Sequence, residues 1–344
     1  MSDLVLVTGA SGYVAGHLVK ELHEHGYRVR GTVRSLARSG TLPHLPGLEL
    51  VEADLTSDAG WAAAVADCRF VVHTASPFPS GEPEHEDELV RPAVDGTLRV
   101  LRAAAAAGVE RVVLTSSIAA IRVGHGGDRV LTEEDWSNPA ACNAYEKSKT
   151  LAERAAWDFA AAHPELELAV INPGMILGPI QYAEVRTSVD ALRILLAAEM
   201  PGAPRLNFAT VDVRDLAVAH RLAMTAPEAA GNRYICAGRE LSLPDMARVL
   251  ATRYRVPTRT LPDWLVRLVA RFNPSAALAA RYLGRRELLS AAKAENELGW
   301  SMRPIEQTLL DTAESLIRFG VVADPGAPRA HASRKAPRPQ TASA

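Results

Sequence analysis

The chain has little of several features that would set it apart from ordinary globular enzymes. Its 344 residues include only three cysteines, Cys68, Cys142 and Cys236, which are widely spaced. An odd number at such spacing indicates neither a disulfide framework nor a metal site, and it fits a reducing compartment. We find no apolar run near the roughly 20 residues of a membrane span and no signal-peptide pattern. The cytoplasm is therefore the expected location.

Excess charge of either sign is also missing. The formal net charge is −2, with 23% charged and 48% hydrophobic residues. This balance is typical of a globular domain and gives no reason to expect a nucleic acid or an anionic membrane as partner. A small molecule is the expected partner, and the composition leaves the oligomeric state open.

A glycine-rich turn follows the first apolar run. Residues 4–7 have the pattern of a buried parallel strand, and helical spacing of apolar residues begins near His17. Between them, Gly9 and Gly12 allow a tight turn and close approach of the backbone to a pyrophosphate, which the helix N-terminus stabilises. Ala15 still permits close packing of helix on strand. The alternative is a turn whose glycines serve geometry alone.

An acidic residue is missing after the second predicted strand, residues 27–34. A carboxylate at this point often binds the ribose 2′-hydroxyl of NAD. Here the chain has Arg34, followed by Ser35 and Arg38. A guanidinium and a hydroxyl suit a 2′-phosphate, so we predict NADP as the cofactor. The alternative is that Arg34 is an ordinary surface arginine.

Tyr145 and Lys149 are four residues apart on a predicted helix, residues 141–162, and so share one face. A free tyrosine has a pKa of about 10 and exchanges protons poorly near neutral pH. An adjacent ammonium favours the phenolate and should lower that pKa, so that the phenol can exchange a proton with a carbonyl or alcohol oxygen. Alone the pair is weak evidence, but Ser116 and Ser117 end an apolar run just before this helix.

Strands and helices alternate through the first half of the chain, which predicts an α/β fold with a doubly wound parallel (Rossmann) sheet and a smaller, mostly helical C-terminal lobe. Ligands bind such sheets outside the carboxyl ends of the strands. The residues at those ends, which should line one crevice, are Gly9, Arg34, Asp54, Ala75, Ser117 and Asn172. The predicted units are an NADP-binding domain over 1–174 with 207–237 returning to it, a substrate lobe over 175–206 and 238–322, and a disordered tail over 323–344, with a weak anionic partner as the tail's alternative role.

Taken together, these segments resemble the extended short-chain dehydrogenases/reductases. Within that group the chain is similar to dihydroflavonol reductases, cinnamoyl-CoA reductases and microbial NADPH-dependent aldehyde/ketone (methylglyoxal-type) reductases. Sugar epimerases of the group usually carry Val-Tyr-Gly after the serine strand, whereas here Ser117 is followed by Ile118 and Ala119. The motifs that carry the resemblance are VTGASGYVAGHLV, RGTVRS, VVHTASPF, PAVDGTLRVLRAA, RVVLTSS, NAYEKSKTLAERAAWDF, VINPGMILGP, VDVRDLAVAH and NELGW.

The resemblance implies a catalytic set and a reaction. Tyr145 would protonate the carbonyl oxygen, Ser117 would hydrogen-bond it, and Lys149 would tune the phenol and bind the nicotinamide ribose. Ser116 is the less favoured serine, and Asn143 is expected to cap the helix rather than to act in catalysis. The implied reaction is NADPH-dependent reduction of an aldehyde or ketone. Alternatives are an epimerase, dehydratase or hydroxysteroid-type dehydrogenase on the same fold, or a non-enzymatic NADP-binding sensor.

The resemblance also implies the remaining contacts. An apolar pocket would favour an aryl or alkyl carbonyl, although each wall residue could equally be core packing. Arg122 and His125 are expected to be solvated loop residues. The implied cofactor contacts are Gly9, Ser11, Gly12, Tyr13 and Val14 at the pyrophosphate, Arg34 at the 2′-phosphate, Asp54 and Leu55 at the adenine, Thr74, Ala75 and Ser76 near the ribose and diphosphate, and Pro173 and Gly174 at the nicotinamide; the implied pocket walls are Phe78, Ile121, Met175 and Ile176.

Overall fold

A computed structural model of the chain describes residues 2–37, 47–77, 83–126, 128–183, 188–238 and 240–327. Most of the tail predicted over 323–344 lies outside them. The strands are β1 (Leu4–Val7), β2 (Arg28–Val33), β3 (Leu48–Glu52), β4 (Phe70–His73), β5 (Arg111–Thr115), β6 (Glu167–Pro173), β7 (Met175–Leu177), β8 (Asn207–Asp212), β9 (Asn232–Cys236) and β10 (Glu240–Ser242).

Seven of these strands form one parallel sheet in the order β3-β2-β1-β4-β5-β6-β9. The chain builds outward from β1 in one direction and then from β4 in the other. The strand order therefore reverses between β1 and β4, and the crevice outside their carboxyl ends is the place where such sheets bind ligands. The predicted doubly wound sheet is confirmed.

Helices cover both faces of this sheet. On one face α1 packs against α6, and on the other α3 packs along α4. The helices are α1 (Tyr13–Glu24), α2 (Trp61–Val65), α3 (Asp87–Ala106), α4 (Ala144–Ala162), α5 (Asp190–Leu196), α6 (Val213–Thr225), α7 (Leu243–Leu250), α8 (Asp263–Val269), α9 (Pro274–Tyr282), α10 (Ala292–Leu298) and α11 (Ile305–Arg318).

The central strands are apolar on both faces because both faces are covered. Along β1, Val5 and Val7 belong to the core under α1 and α6, whereas Leu4 and Leu6 belong to the core beside α3. Successive side chains of a strand point to opposite faces, so a strand buried on both sides needs a continuous apolar run. This is the reason why residues 4–7 could be recognised as a central strand.

A second, smaller unit contains β7, β8 and β10, with β8 between the other two. Its core includes Leu192 of α5, Met246 of α7, and Leu309 and Leu316 of α11. The sequence predicts only a helix and loops over 175–205, and the short strand β7 in this range was missed. Three apolar residues give too little periodicity to identify a strand.

Two predicted boundaries are wrong in detail. Residues 207–212 were assigned to the first domain but form β8 of the second sheet. Asp212, which the sequence predicts with Asp215 as a possible cap of the next helix, is the N-cap of α6 and accepts from Arg214 N–H at 2.8 Å. Conversely, α10 and Trp300 pack into the core of the central sheet, and Trp300 Nε1 donates to Asp215 O at 2.8 Å. None of the helices in these described ranges combines the length and apolar character needed to cross a membrane.

Candidate active site

The glycine turn is built as expected and is packed tightly. Gly9 has φ +67°, and a Cβ at this position would lie 3.0 Å from the Cβ of Ala75. Its N–H donates to Thr32 Oγ1 at 2.9 Å, which ties the turn to the end of β2. Gly12 is the N-cap of α1 and has no side chain to accept from the helix's first N–H groups. The turn therefore presents backbone donors to the crevice, as a phosphate site requires.

The other residues predicted at the pyrophosphate lie around this turn. Ser11 is exposed, and its carbonyl accepts from the Tyr182 hydroxyl. The Tyr13 hydroxyl donates to Gly178 O at 2.8 Å, and burial raises the pKa of this phenol well above its usual value. Val14 packs against the core. The Tyr13 hydroxyl is therefore engaged with Gly178, and the predicted contact of Tyr13 with the pyrophosphate would fall to its backbone N–H.

Arg34 is exposed at the end of β2, where the 2′-phosphate was predicted. It lies near Asp54, whose pKa is lowered chiefly by hydrogen bonds from Thr56 N–H and Oγ1 (2.8 and 2.7 Å) and further by Arg34. Asp54 therefore closes a local turn and does not cap α2, whose N-cap is Gly60. Leu55, predicted at the adenine, packs against the core beside α3.

The turn after β4 is joined to the turn after β1 through Thr8, which is fully buried. Ala75 N–H donates to Thr8 Oγ1 at 3.0 Å, and Thr74 Oγ1 donates to Thr8 O at 2.5 Å. His73 Nδ1 lies 2.8 Å from Thr8 Oγ1. The predicted contacts Thr74 and Ala75, with Ser76 next in the chain, thus line the same crevice as the glycine turn.

Ser117 and Tyr145 meet through their hydroxyl groups. Asn143 caps α4 through a capping box with Glu146, with N–H···O distances of 2.9 and 3.0 Å. This confirms Asn143 as a cap and sets Tyr145 in the first turn of the helix. Ser117 follows β5, accepts from Ala119 N–H at 3.1 Å and hydrogen-bonds to Tyr145. Lys149 lies one turn further along the same face.

The electrostatics of this group differ from the sequence prediction. Burial raises the pKa of Tyr145; the Ser117 hydrogen bond and Arg122 lower it, and Glu146 raises it. Burial also lowers the pKa of Lys149 to about 8, which Glu153 opposes. Burial therefore outweighs the lowering of the tyrosine pKa that the sequence predicts, and Arg122 contributes in the lowering direction.

Ser116 is engaged in a buried network and is not free to act. Its hydroxyl donates to Glu153, which also accepts from Asn172 Nδ2 at 2.8 Å and pairs with Arg233 at 2.7 Å. Asn172 Nδ2 donates in addition to Ser117 O at 3.1 Å. Glu153 was missed from the sequence. The available signal was its spacing, since Tyr145, Lys149 and Glu153 follow at intervals of four residues.

Arg122 was predicted to be solvated and is not. Its side chain is 23% exposed and pairs with Glu146 at 3.1 Å and, more closely, with Glu287. His125 donates from Nε2 to Ile121 O at 2.7 Å. No local pattern marked Arg122, because Glu287 is far away in sequence.

The predicted pocket walls separate in the structure. Ile121 is fully buried in a core cluster with Ile118 and Ile235, so it is a core residue. Met175 packs on the core of the second unit, whereas Ile176 packs on the core of the central sheet. Adjacent strand residues face opposite sides, so both cannot line one wall. Phe78 lies outside the described residues.

Pro173 and Gly174 come at the junction of the two units. Pro173 is buried at the end of β6. A Cβ on Gly174 would lie 2.2 Å from Ala209 O in β8, so the close approach of the two backbones requires glycine here. Their predicted contact with the nicotinamide remains a prediction.

Comparison with known proteins gives consistent matches. The family model "NAD dependent epimerase/dehydratase family" matches residues 5–237. Cinnamoyl-CoA reductase 1 of Petunia hybrida is 41% identical over 273 residues, covering 75% of this chain and 80% of the relative. Cinnamoyl-CoA reductase 2 of Arabidopsis thaliana is 35% identical and covers 92% and 93%.

Among solved structures, yeast methylglyoxal/isovaleraldehyde reductase complexed with NADPH is 27% identical with a TM-score of 0.75, covering 92% of this chain and 99% of the other. The resemblance to extended reductases of this branch, which the motifs predicted, is confirmed by these matches.

Proposed function

Because the chain belongs to the NAD dependent epimerase/dehydratase family, we propose that it is an NADPH-dependent reductase of aldehydes or ketones with aryl or alkyl groups. Tyr145 is the proton donor. The observation that carries the proposal is the hydrogen-bonded pair Ser117–Tyr145 with Lys149 one turn away. Burial and, to a smaller extent, Lys149 lower the pKa of His73, which contacts Thr8, so the catalytic group adjoins the glycine turn.

Each side chain of this group has a distinct task. The dihydronicotinamide supplies the hydride to the carbonyl carbon when it is bound. Tyr145, whose raised pKa keeps the phenol protonated at neutral pH, gives its proton to the carbonyl oxygen. Ser117 holds that oxygen as negative charge develops. Lys149, with a pKa of about 8, is mainly charged at neutral pH and binds the ribose hydroxyls.

Arg34 supports NADPH over NADH. It stands at the end of β2, and residues 34–37 contain no carboxylate that could bind a ribose 2′-hydroxyl. The yeast reductase matched above is complexed with NADPH. The exposed guanidinium of Arg34 fits a 2′-phosphate, for which arginine is well suited.

The second unit supports an apolar carbonyl substrate. Met175 and Phe208 pack on its apolar core where β7 and β8 meet the end of β6. We assign substrate binding to this unit, chiefly residues 175–206 and the described part of 238–322, with β8 included and α10 excluded.

The test is turnover of the purified chain with NADPH against aldehydes, diketones and flavanonols, compared with Tyr145→Phe. We expect Tyr145→Phe to lower kcat by about 10²–10⁴-fold, the range for loss of a positioned acid, while NADPH affinity stays unchanged. Tyr27→Phe, which precedes β2 at the end of the sheet opposite the crevice, is the matched control and should keep full activity. Full activity of Tyr145→Phe would rule out the mechanism. Tight NADPH binding without turnover of any carbonyl would favour the sensor function instead.

A further inference from the structure

A cluster of polar side chains joins the second unit to the start of the catalytic helix. We call it the Arg122 cluster; its members are Arg122, Asn143, Glu146, Tyr282 and Glu287. The Arg122 guanidinium pairs with Glu146 at 3.1 Å and with Glu287, and it lies 5.6 Å from the centre of the Tyr282 ring. Three separate segments meet here: the turn after Ser117, the first turn of α4, and the end of α9 with the chain that follows it.

The two carboxylates are buried. The side chains of Glu146 and Glu287 are 5% and 7% exposed. A buried carboxylate is costly unless its oxygens are paired or hydrogen-bonded. Among the described residues, Arg122 is the cation that pairs with both of them. If Arg122 moves, both buried carboxylates lose this ion pair, so its position is strongly restrained.

Hydrogen bonds complete the cluster. Glu287 Oε2 accepts from Ala209 N–H at 2.9 Å, which ties it to β8. The Tyr282 hydroxyl donates to Glu146 Oε1 at 3.2 Å and accepts from Asn143 Nδ2 at 2.7 Å. The residue that caps α4 and the carboxylate of its capping box thus both contact a side chain from the second unit.

The cluster adjoins the helical turn that carries Tyr145. Tyr145 stands between Asn143 and Glu146 in the first turn of α4, and Arg122 comes five residues after Ser117. Arg122 lowers the pKa of Tyr145, and Glu146 raises it. The cluster therefore fixes both the backbone that carries the phenol and the charges around it.

Resting on the proposed function, we propose that Arg122 is a positioning residue, which fastens the second unit to the first turn of α4 and so orients the Tyr145 hydroxyl toward the substrate carbonyl. A misplacement of about 1 Å can cost on the order of 10²-fold in rate, because the reacting atoms must be aligned. Because the substrate would be held by the second unit and the proton donor lies on α4, their alignment requires a fixed contact between the two.

Other ionisable groups near the phenol are few in the described residues. Ser117 hydrogen-bonds to it, and Lys149 lies one turn away with a pKa of about 8 and with His73 and Glu153 beside it. None of these contacts Arg122. Substitutions at Arg122 therefore change one of the charges that act on Tyr145 and leave the residues around Lys149 in place.

The decisive experiment compares Arg122→Met, Arg122→Lys and Tyr282→Phe in the full chain with NADPH and a substrate that it reduces. Arg122→Met should lower kcat by about 10- to 100-fold with little change in NADPH affinity, because the cofactor site is untouched. It should also move the alkaline limb of the kcat profile, where the phenol loses its proton, to higher pH. Arg122→Lys should restore that limb but only part of kcat, because an ammonium cannot form the same forked contacts.

Tyr282→Phe removes one hydroxyl and no charge. It should lower kcat to a smaller extent and leave the pH profile in place. If Arg122→Met does not fold, Tyr282→Phe decides: unchanged kcat would overturn the proposal. Unchanged kcat in Arg122→Met would overturn the proposal directly. It would also be overturned if Arg122→Met lowered kcat without moving the alkaline limb and Arg122→Lys did not recover any of the lost kcat.

Tyr145→Phe separates the two levels of inference. If it is inactive while the Arg122 and Tyr282 variants behave like the parent chain, only the role of Arg122 is wrong. If Tyr145→Phe is fully active, the proposed function itself fails.

Discussion

The cofactor side and the catalytic side of the crevice are built in different ways. On the cofactor side, β1, the glycine turn and α1 are consecutive, and the contacts are hydrogen bonds between backbone groups and threonine hydroxyls, together with close approaches such as Gly9 to Ala75. On the catalytic side, Ser117 and Arg122 follow β5, and Tyr145 lies on α4. The buried charges there come from α4 itself (Glu153) and from two further segments (Arg233 and Glu287).

The difference shows that local backbone shape determines the cofactor side, whereas tertiary contacts determine the catalytic side. A phosphate can be bound by N–H groups that every residue carries, so backbone shape is sufficient on the cofactor side. A phenol that must deliver a proton needs a particular field, and buried charges supply it only when each has a partner. The cofactor side should therefore be sensitive to backbone strain, and the catalytic side to loss of a single charge.

The largest effect is expected at Glu153. Glu153→Ala leaves Arg233 unpaired in the interior and removes the acceptor of Ser116 and Asn172. We expect the free energy of unfolding to fall by about 3–5 kcal/mol, measured by urea denaturation. Glu110→Ala, which breaks an ion pair with Arg69 whose two side chains are about half exposed, should cost less than about 1 kcal/mol. Equal losses would contradict the dependence of the catalytic side on buried, paired charges.

On the cofactor side, the second prediction concerns the charge of Arg34. A hydrogen bond to a charged group contributes about 1.5–3 kcal/mol, so Arg34→Ala should weaken NADPH binding by roughly one to two decades and NADH binding much less. Arg28→Ala, at the opposite end of β2 and also exposed, is the control. Titration of both cofactors by fluorescence decides the matter, and equal weakening of NADPH and NADH would contradict a 2′-phosphate contact.

The third prediction concerns the close approach of the backbone at Gly9. Gly9→Ala forces a left-handed residue against Ala75, whereas Gly26→Ala is left-handed (φ +82°) with nothing within 4 Å. Both should lose about 1–2 kcal/mol of stability from the left-handed conformation alone. Only Gly9→Ala should lose more, and only it should weaken NADPH binding. Similar stability and similar NADPH affinity in the two variants would mean that the close approach is unimportant.

The sequence alone determined the elements that depend on neighbouring residues. The strand at 4–7, the glycine turn and the cap at Asn143 follow from apolar runs, from φ values that favour glycine and from a local hydrogen bond, which are all properties of a few consecutive residues. Alternation of strands and helices was sufficient for the doubly wound sheet, because covered parallel strands must be apolar on both faces.

Only the tertiary structure decided the environment of the phenol. The pKa of Tyr145 depends on burial and on Arg122, and Arg122 depends on Glu287, which is 165 positions later in the numbering of the chain. The same holds for the segregation of Met175 and Ile176 into two cores and for the return of Trp300 to the central sheet. The pKa of a buried group depends on its desolvation and on the charges of all its neighbours in space. Periodicity along the chain carries no information about these neighbours.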